Sequence, residues 1–237
     1  MTQPPGSPAE SGHASLGRAT EVLAEGGFVA FPTETVWGLA ASAGNEAAVA
    51  ALGRWKGRAE AQPISVLVSG LGALLEMGFE PDPRARRLIE HFWPGPLTLV
   101  LPCRSVFAPG IAREDGSVGV RCSSHPVAAE FIRAAESAGL GPLTATSCNR
   151  SGQAPAQSEE EARALCATDP EGPYLLSAEG RVFPPGEPTT VLDLTGASPR
   201  ILREGGIDAA TMQPFMDTGE IISGASSKAS SSGDARR

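Results

Sequence analysis

The segment FVAFPTETVWGLAA, Phe28 to Ala41, decides how the rest of the chain is read. Phe28–Phe31 has the length and apolarity of a short buried strand. Pro32 interrupts it, and Val36–Ala41 is apolar again. Between the two runs stand Thr33, Glu34 and Thr35. Polar side chains caught between buried neighbours need hydrogen-bond partners. Those partners are either the protein's own groups or a ligand.

Working outward, helices and strands alternate. Ser15 is placed to cap a helix to about Glu25, closed by Gly26-Gly27. After strand 28–31, Asn45 caps a short helix ending near Trp55. Strand 64–68 (ISVLV) follows, and Asp82-Pro83 opens a helix with Leu88, Ile89 and Phe92 on one face. Strands 97–101 and 117–121 come next, then a helix opened by Pro126, then strand 143–146. Ser158 and Glu161 form a capping box for a further helix. YLLS, TVLDL and RILRE read as the last strands. The interleaving predicts an α/β fold with a mixed sheet. Residues 1–13 read as a flexible arm, 14–212 as one domain, and 213–237 as a disordered Ser-rich tail.

The bulk properties narrow the function classes. Of 237 residues, 41% are hydrophobic and 19% charged, an ordinary balance for a soluble domain. No apolar run is long enough to cross a bilayer, no secretory leader is visible, and the four cysteines form no Cys-x-x-Cys pair. A cytoplasmic protein without membrane contact is expected. A net charge of −8 argues against a general electrostatic grip on nucleic acid. With three histidines and no nucleophile elbow, zincin motif or phosphate-loop motif, a histidine-based hydrolase is poorly supported. His91 is expected to pack against Trp93, and His125 to start a helix.

The remaining polar features sit at strand and helix ends, where ligands of open α/β sheets bind. Lys56 and Arg58 flank Gly57; both can face one polyanion, or form a solvated turn. Arg121 ends strand 117–121 and can grip a carboxylate or form a surface ion pair. Thr146, Ser147 and Asn149 can bind a nucleotide or hold a loop. Thr189-Thr190 and Arg203 complete the set.

In this order FPTETVWGLAA, KGR, QPISVLV, FWPGPLTLVL, VGVR, TSCNRSG, TTVLDL and ILREGGI resemble the YrdC family of threonylcarbamoyl-AMP synthases in its short, single-domain form, from about residue 14 to 208. The resemblance implies a twisted mixed sheet flanked by helices around a deep, locally positive cleft. It implies that L-threonine, bicarbonate and ATP give threonylcarbamoyl-AMP and pyrophosphate, feeding the threonylcarbamoyladenosine modification of tRNA. Carried over by motif, Lys56 and Arg58 are catalytic. They bind ATP together with Ser117, Ser147, Asn149 and Arg203, while Thr33, Thr35, Arg121 and Thr189 bind threonine. Mg²⁺ is expected with ATP, without an assigned protein ligand. Contact with tRNA or the transferase complex stays open. The chain departs from the family pattern at Trp37 (usually Tyr), Leu67 (often His), Gln62 (often basic), Cys148 (Ala), and Pro155 and Gln157 (commonly Ser and Thr). Two other readings are a related carbamoyl-adenylate chemistry, as in the hydrogenase-maturation carbamoyltransferase, and an RNA-binding module of the same fold.

Overall fold

A computed structural model describes residues 8–58, 62–181, 186–215 and 222–223. Helix α1 spans Pro8–Ala24 and β1 spans Val29–Phe31. They are followed by β2 Gly38–Ala40, α2 Glu46–Lys56, β3 Ser65–Leu67, α3 Leu71–Glu76 and α4 Pro83–Phe92. Next come β4 Leu97–Pro102, β5 Ser117–Arg121, α5 Pro126–Ser137, β6 Leu143–Ser147 and α6 Glu159–Cys166. The described chain ends with β7 Tyr174–Leu175, β8 Thr190–Asp193, β9 Arg200–Arg203, α7 Ala209–Met212, a 3₁₀ turn at Gln213–Phe215 and β10 Ile222–Ser223.

The sheet order is β10-β9-β8-β4-β5-β3-β6-β2-β1-β7. It is mixed, as expected: β4 runs antiparallel to β5 but parallel to β8, and β3 runs parallel to β5 but antiparallel to β6. The expected caps hold for local reasons. Asn45 Oδ1 accepts from Ala48 N–H at 3.0 Å, Asp82 Oδ1 from Ala85 N–H at 2.8 Å, and Ser158 Oγ from Glu161 N–H at 3.1 Å. Each such cap contributes about 1 kcal/mol. The Glu161 carboxylate reaches back to the N–H of Gln157, one residue before the cap.

Several boundaries differ from expectation. Helix α1 begins at Pro8 rather than at Ser15, so residues 8–13 of the expected arm are helical. Part of the expected tail is ordered too: Gln213–Phe215 forms the 3₁₀ turn, and Ile222–Ser223 pairs with β9. The rest of the arm and tail, 1–7, 216–221 and 224–237, lies outside the described residues. β2 emerges because Val29–Phe31 and Gly38–Ala40 pair antiparallel. α3 is six residues long and lacks a side-chain cap, too short to show a helical period, and is anchored by buried Leu74. His91 packs against Phe92 and Phe215, with ring centroids at 4.7 and 4.2 Å, rather than against Trp93.

Two apolar clusters lie on the sheet's two faces. One gathers Ala30, Leu39, Val66, Leu97, Leu99, Leu101, Val118 and Val120 from the strands with Leu52, Leu88 and Ala162 from α2, α4 and α6. The other gathers Val29, Phe31, Ala40, Leu67 and Leu143 with Ala19 and Leu23 of α1 and Val127, Phe131 and Ile132 of α5. The first spans the sheet from β1 to β9. The second involves only β1, β2, β3, β6 and the Leu176 region. On that second face, no helix among the described residues contributes to a cluster over β4, β5 and β8. There a cavity opens.

Candidate active site

The cavity has a volume of about 440 Å³, within the usual range for a small-molecule site. Alternation along the strands builds its floor. Thr98 and Val100 of β4, Gly119 and Arg121 of β5, and Ser65 and Leu67 of β3 face it, joined by Ala145, Thr146 and Ser147 of β6, while Leu99, Val120 and Val66 between them enter the first core. Gly119 lies opposite Ser65, and a Cβ on Gly119 would come within 2.5 Å of Ser65 Oγ. Small residues at the centre of the sheet therefore create the depression.

At one end the loop between β1 and β2 supplies Thr33 and Thr35. Thr33 Oγ1 donates to Val36 O at 2.6 Å, so Thr35 Oγ1, 3.0 Å away, is the donor to Thr33. Thr35 Oγ1 also accepts from Arg121 Nη2 at 3.2 Å. One lone pair of Thr35 is left to face the cavity. Arg121 Nε is buried and without a hydrogen-bond partner. Glu34 points away from the cavity-lining set. One of its carboxylate oxygens lies 2.7 Å from Arg121 Nη2, and the other accepts from Ser123 Oγ. Although burial alone would raise it, the Arg121 charge and the Ser123 hydrogen bond hold the Glu34 carboxyl below the usual carboxylate range.

The Lys-Gly-Arg segment behaves differently from the expectation that both cations face one ligand. Gly57 takes the left-handed conformation (φ 64°) that ends α2. Lys56 remains on the inward face of the helix and Arg58 emerges beyond the turn. Lys56 Nζ donates to Ser147 O, to Asn149 O at 3.0 Å and to Asn149 Oδ1 at 2.7 Å. All three ammonium hydrogens are thus used on one loop. Lys56 is buried and does not line the cavity. Burial, with the Arg58 charge adding to it, lowers its pKa to about 8. Asn149 is equally committed. Its Oδ1 also accepts from Ser147 Oγ at 2.6 Å, and its Nδ2 donates to Arg150 O and Gln153 O. Ser147 lines the cavity; Asn149 lies behind it. Arg58 does line it, held by Gln62 O, Pro63 O and Thr146 Oγ1 at 2.9–3.1 Å.

The opposite wall comes from β8 and β9. Thr189 Oγ1 lies 2.9 Å from Thr98 Oγ1 and accepts from Arg203 Nη2 at 2.7 Å. The Arg203 guanidinium also donates twice to Thr189 O. Ser117 departs from its expected nucleotide contact. Its hydroxyl donates to Asp115 at 2.6 Å, and it is buried outside the cavity. Arg113, from the same turn, lines the cavity instead, paired with Asp193 at 2.9 Å. Nothing local in the sequence singles out Arg113, because its partner is on β8. Of the positions where the sequence departs from the family pattern, Trp37, Gln62, Leu67 and Pro155 line the cavity.

Among the described lining residues are four arginines, 58, 113, 121 and 203, and no carboxylate. Arg113 and Arg121 carry ion-pair partners, whereas Arg58 and Arg203 have none among the described residues. The cavity is therefore positive within a chain of net charge −8. Burial lowers both Arg58 and Arg203, the latter also through Arg121. Among the described residues no group of three or more His, Cys, Asp or Glu converges. This donor set does not fit a protein-held Mg²⁺. No helix there is long and apolar enough to cross a membrane.

Comparison with known proteins agrees with this geometry. The Sua5/YciO/YrdC family profile, described as "Telomere recombination", matches residues 21–205. The threonylcarbamoyl-AMP synthase of Bacillus subtilis is 35% identical over 81% of this chain and 54% of its own length, and that of Pyrococcus abyssi is 36% identical over 86% and 57%. A Mycobacterium tuberculosis protein provisionally given the same name is 35% identical over 82% of this chain and 90% of its own. The crystal structure of P. abyssi Sua5 complexed with L-threonine superposes with a TM-score of 0.76 at 32% identity, covering 88% of this chain and 58% of that one. The profile spans every segment that lines the cavity, and the chain belongs to the Sua5/YciO/YrdC family of threonylcarbamoyl-AMP synthases.

Proposed function

We propose that the protein forms threonylcarbamoyl-AMP and pyrophosphate from L-threonine, bicarbonate and ATP, supplying the carbamoyl donor for tRNA threonylcarbamoyladenosine. The observation that carries this reading is an acid-free cavity lined by four arginines, in which the guanidinium of Arg121 donates through Nη2 to Thr35 Oγ1 and so stands beside an acceptor. An α-amino acid presents the matching pair: a carboxylate for the arginine and an amine N–H for the hydroxyl. Thr33 braces Thr35, and Thr189 stands on the facing wall. Arg58 and Arg203, lacking carboxylate partners among the described residues, suit a polyphosphate.

The chemistry then needs positioning more than acid–base groups. The amine of threonine and bicarbonate give a carbamate and water. A carbamate oxygen attacks the α-phosphorus of ATP, and pyrophosphate departs with the electron pair of the broken P–O bond. The arginine-lined cavity favours a neutral, nucleophilic amine over an ammonium and stabilises the added negative charge. Arg58 orients the phosphates, Ser147 lines the same wall, and Lys56 with Asn149 holds the Ser147 loop from behind. A magnesium ion arriving with ATP would be held by phosphate oxygens and water.

Pyrophosphate release measured with ATP, bicarbonate and Mg²⁺ is expected to depend on added L-threonine. Release that ignores threonine, or that carbamoyl phosphate supports in its place, overturns the reading. Gly119→Val tests the floor. Valine suits a strand, but its Cβ starts 2.5 Å from Ser65 Oγ and its methyls fill the depression. Calorimetric ATP affinity is expected to fall about tenfold or more, with a stability loss of roughly 1–3 kcal/mol from overpacking.

A further inference from the structure

We infer that Glu34 is the positioning residue of the amino-acid subsite, acting through Arg121. This inference rests on the reading of that subsite given above. Glu34 and Arg121 are both about nine-tenths buried in their side chains, and the 2.7 Å pair joins the β1–β2 loop to the end of β5. Arg121 leaves β5 flanked by Thr98 of β4 and Leu67 of β3, neither of which offers a counter-charge. Without Glu34 the guanidinium has no carboxylate partner among the described residues.

The pair also sets the polarity of the subsite. With Nη2 occupied by Glu34 and Thr35, and Nε buried, Nη1 has no hydrogen-bond partner among the described residues and is the donor left for a ligand. Because Arg121 donates to Thr35, and Thr35 donates to Thr33, the free lone pair of Thr35 is kept as an acceptor. Glu34 thereby fixes a donor and an acceptor side by side although it touches neither ligand atom. Its own orientation is held by Ser123 Oγ, whose oxygen in turn accepts from the His125 N–H at 3.3 Å. One glycine completes the support. Gly186 N–H donates to Thr35 O at 3.1 Å, and a Cβ on Gly186 would come within 2.7 Å of Glu34 O.

The test is calorimetric binding of L-threonine and of ATP to the full chain, with Glu34→Gln, Glu34→Asp and Ser123→Ala. Glu34→Gln keeps the shape but removes the charge. It is expected to weaken threonine binding about tenfold or more while ATP affinity stays within about twofold, and Glu34→Asp is expected to recover part of the loss. Ser123→Ala frees one carboxylate oxygen and is expected to weaken threonine binding about threefold, again sparing ATP; it decides the matter if the Glu34 variants do not fold. Unchanged threonine affinity in a folded Glu34→Gln, or in Ser123→Ala, overturns the inference, as does equal loss for both ligands. A wild-type protein that binds no threonine would overturn the proposed function itself.

Discussion

Arg58→Ala is expected to lower kcat/KM for ATP by about 10²–10³-fold, the equivalent of losing roughly 3–4 kcal/mol of charge-assisted contacts to phosphate. Arg58 is the lining arginine beside Thr146 and Ser147 that no described carboxylate neutralises. Its present partners are two carbonyls and a hydroxyl. Because these bonds are partly exposed, folding stability should change little. The threonine affinity measured without ATP should also hold. Arg58→Lys is expected to restore only a minor part, since a point charge does not reproduce the planar fork. Steady-state kinetics with ATP varied at saturating threonine reads this directly. An unchanged KM for ATP in Arg58→Ala would remove Arg58 from the nucleotide site.

Lys56→Met separates a strut from a phosphate ligand. The substitution leaves Ser147 O, Asn149 O and Asn149 Oδ1 without their shared donor. Unmade buried hydrogen bonds cost about 1–3 kcal/mol each, and relief from burying the ammonium offsets part of this, so a net loss of about 2 kcal/mol is expected at pH 7.5. The loss has a pH signature. Lys56 falls from 10.5 to about 8 in the folded protein. Between those values the unfolded chain holds more protons at this site, so the wild type gains stability from it as pH rises. Below about pH 8 both states are protonated and the contribution is flat. Urea unfolding at pH 7.5 and 9.5 should therefore show the gap between wild type and Lys56→Met widening, by about 2 kcal/mol. ATP affinity should fall as well, because the loop carrying Ser147 loosens. A variant as stable as wild type at both pH values, but with weak ATP binding, would return Lys56 to the phosphates.

Lys56 and Arg58 show where sequence reasoning succeeds and where it stops. Their importance was legible from two cations around a glycine. Their division of labour was not, because it depends on the left-handed Gly57 and on a loop some ninety positions away in the chain. Glu34 is similar. Its need for a partner follows from burial, and the residues leave open whether the protein or a ligand supplies it. That a protein group, Arg121, supplies it is decided by the tertiary contact between the β1–β2 loop and the end of β5. Arg113 was not legible at all, since a loop arginine acquires meaning only from Asp193 on β8.

By itself the sequence determined what is local or carried by ordered motifs. The caps at Asn45, Asp82 and Ser158 are contacts within four residues. The α/β class follows from alternating periodicities, and the family from eight motifs in fixed order. Even the open face is written in LTLVL and SVGVR, where large apolar residues alternate with Thr98, Gly119 and Arg121. Only the tertiary structure decided which of those faces α1 and α5 cover and which stays open. It also decided which polar side chains spend their hydrogen bonds on the protein and which keep one for a ligand. Pairing a buried donor requires a partner placed by strand register across the sheet, and that placement exists only once the strands are assembled.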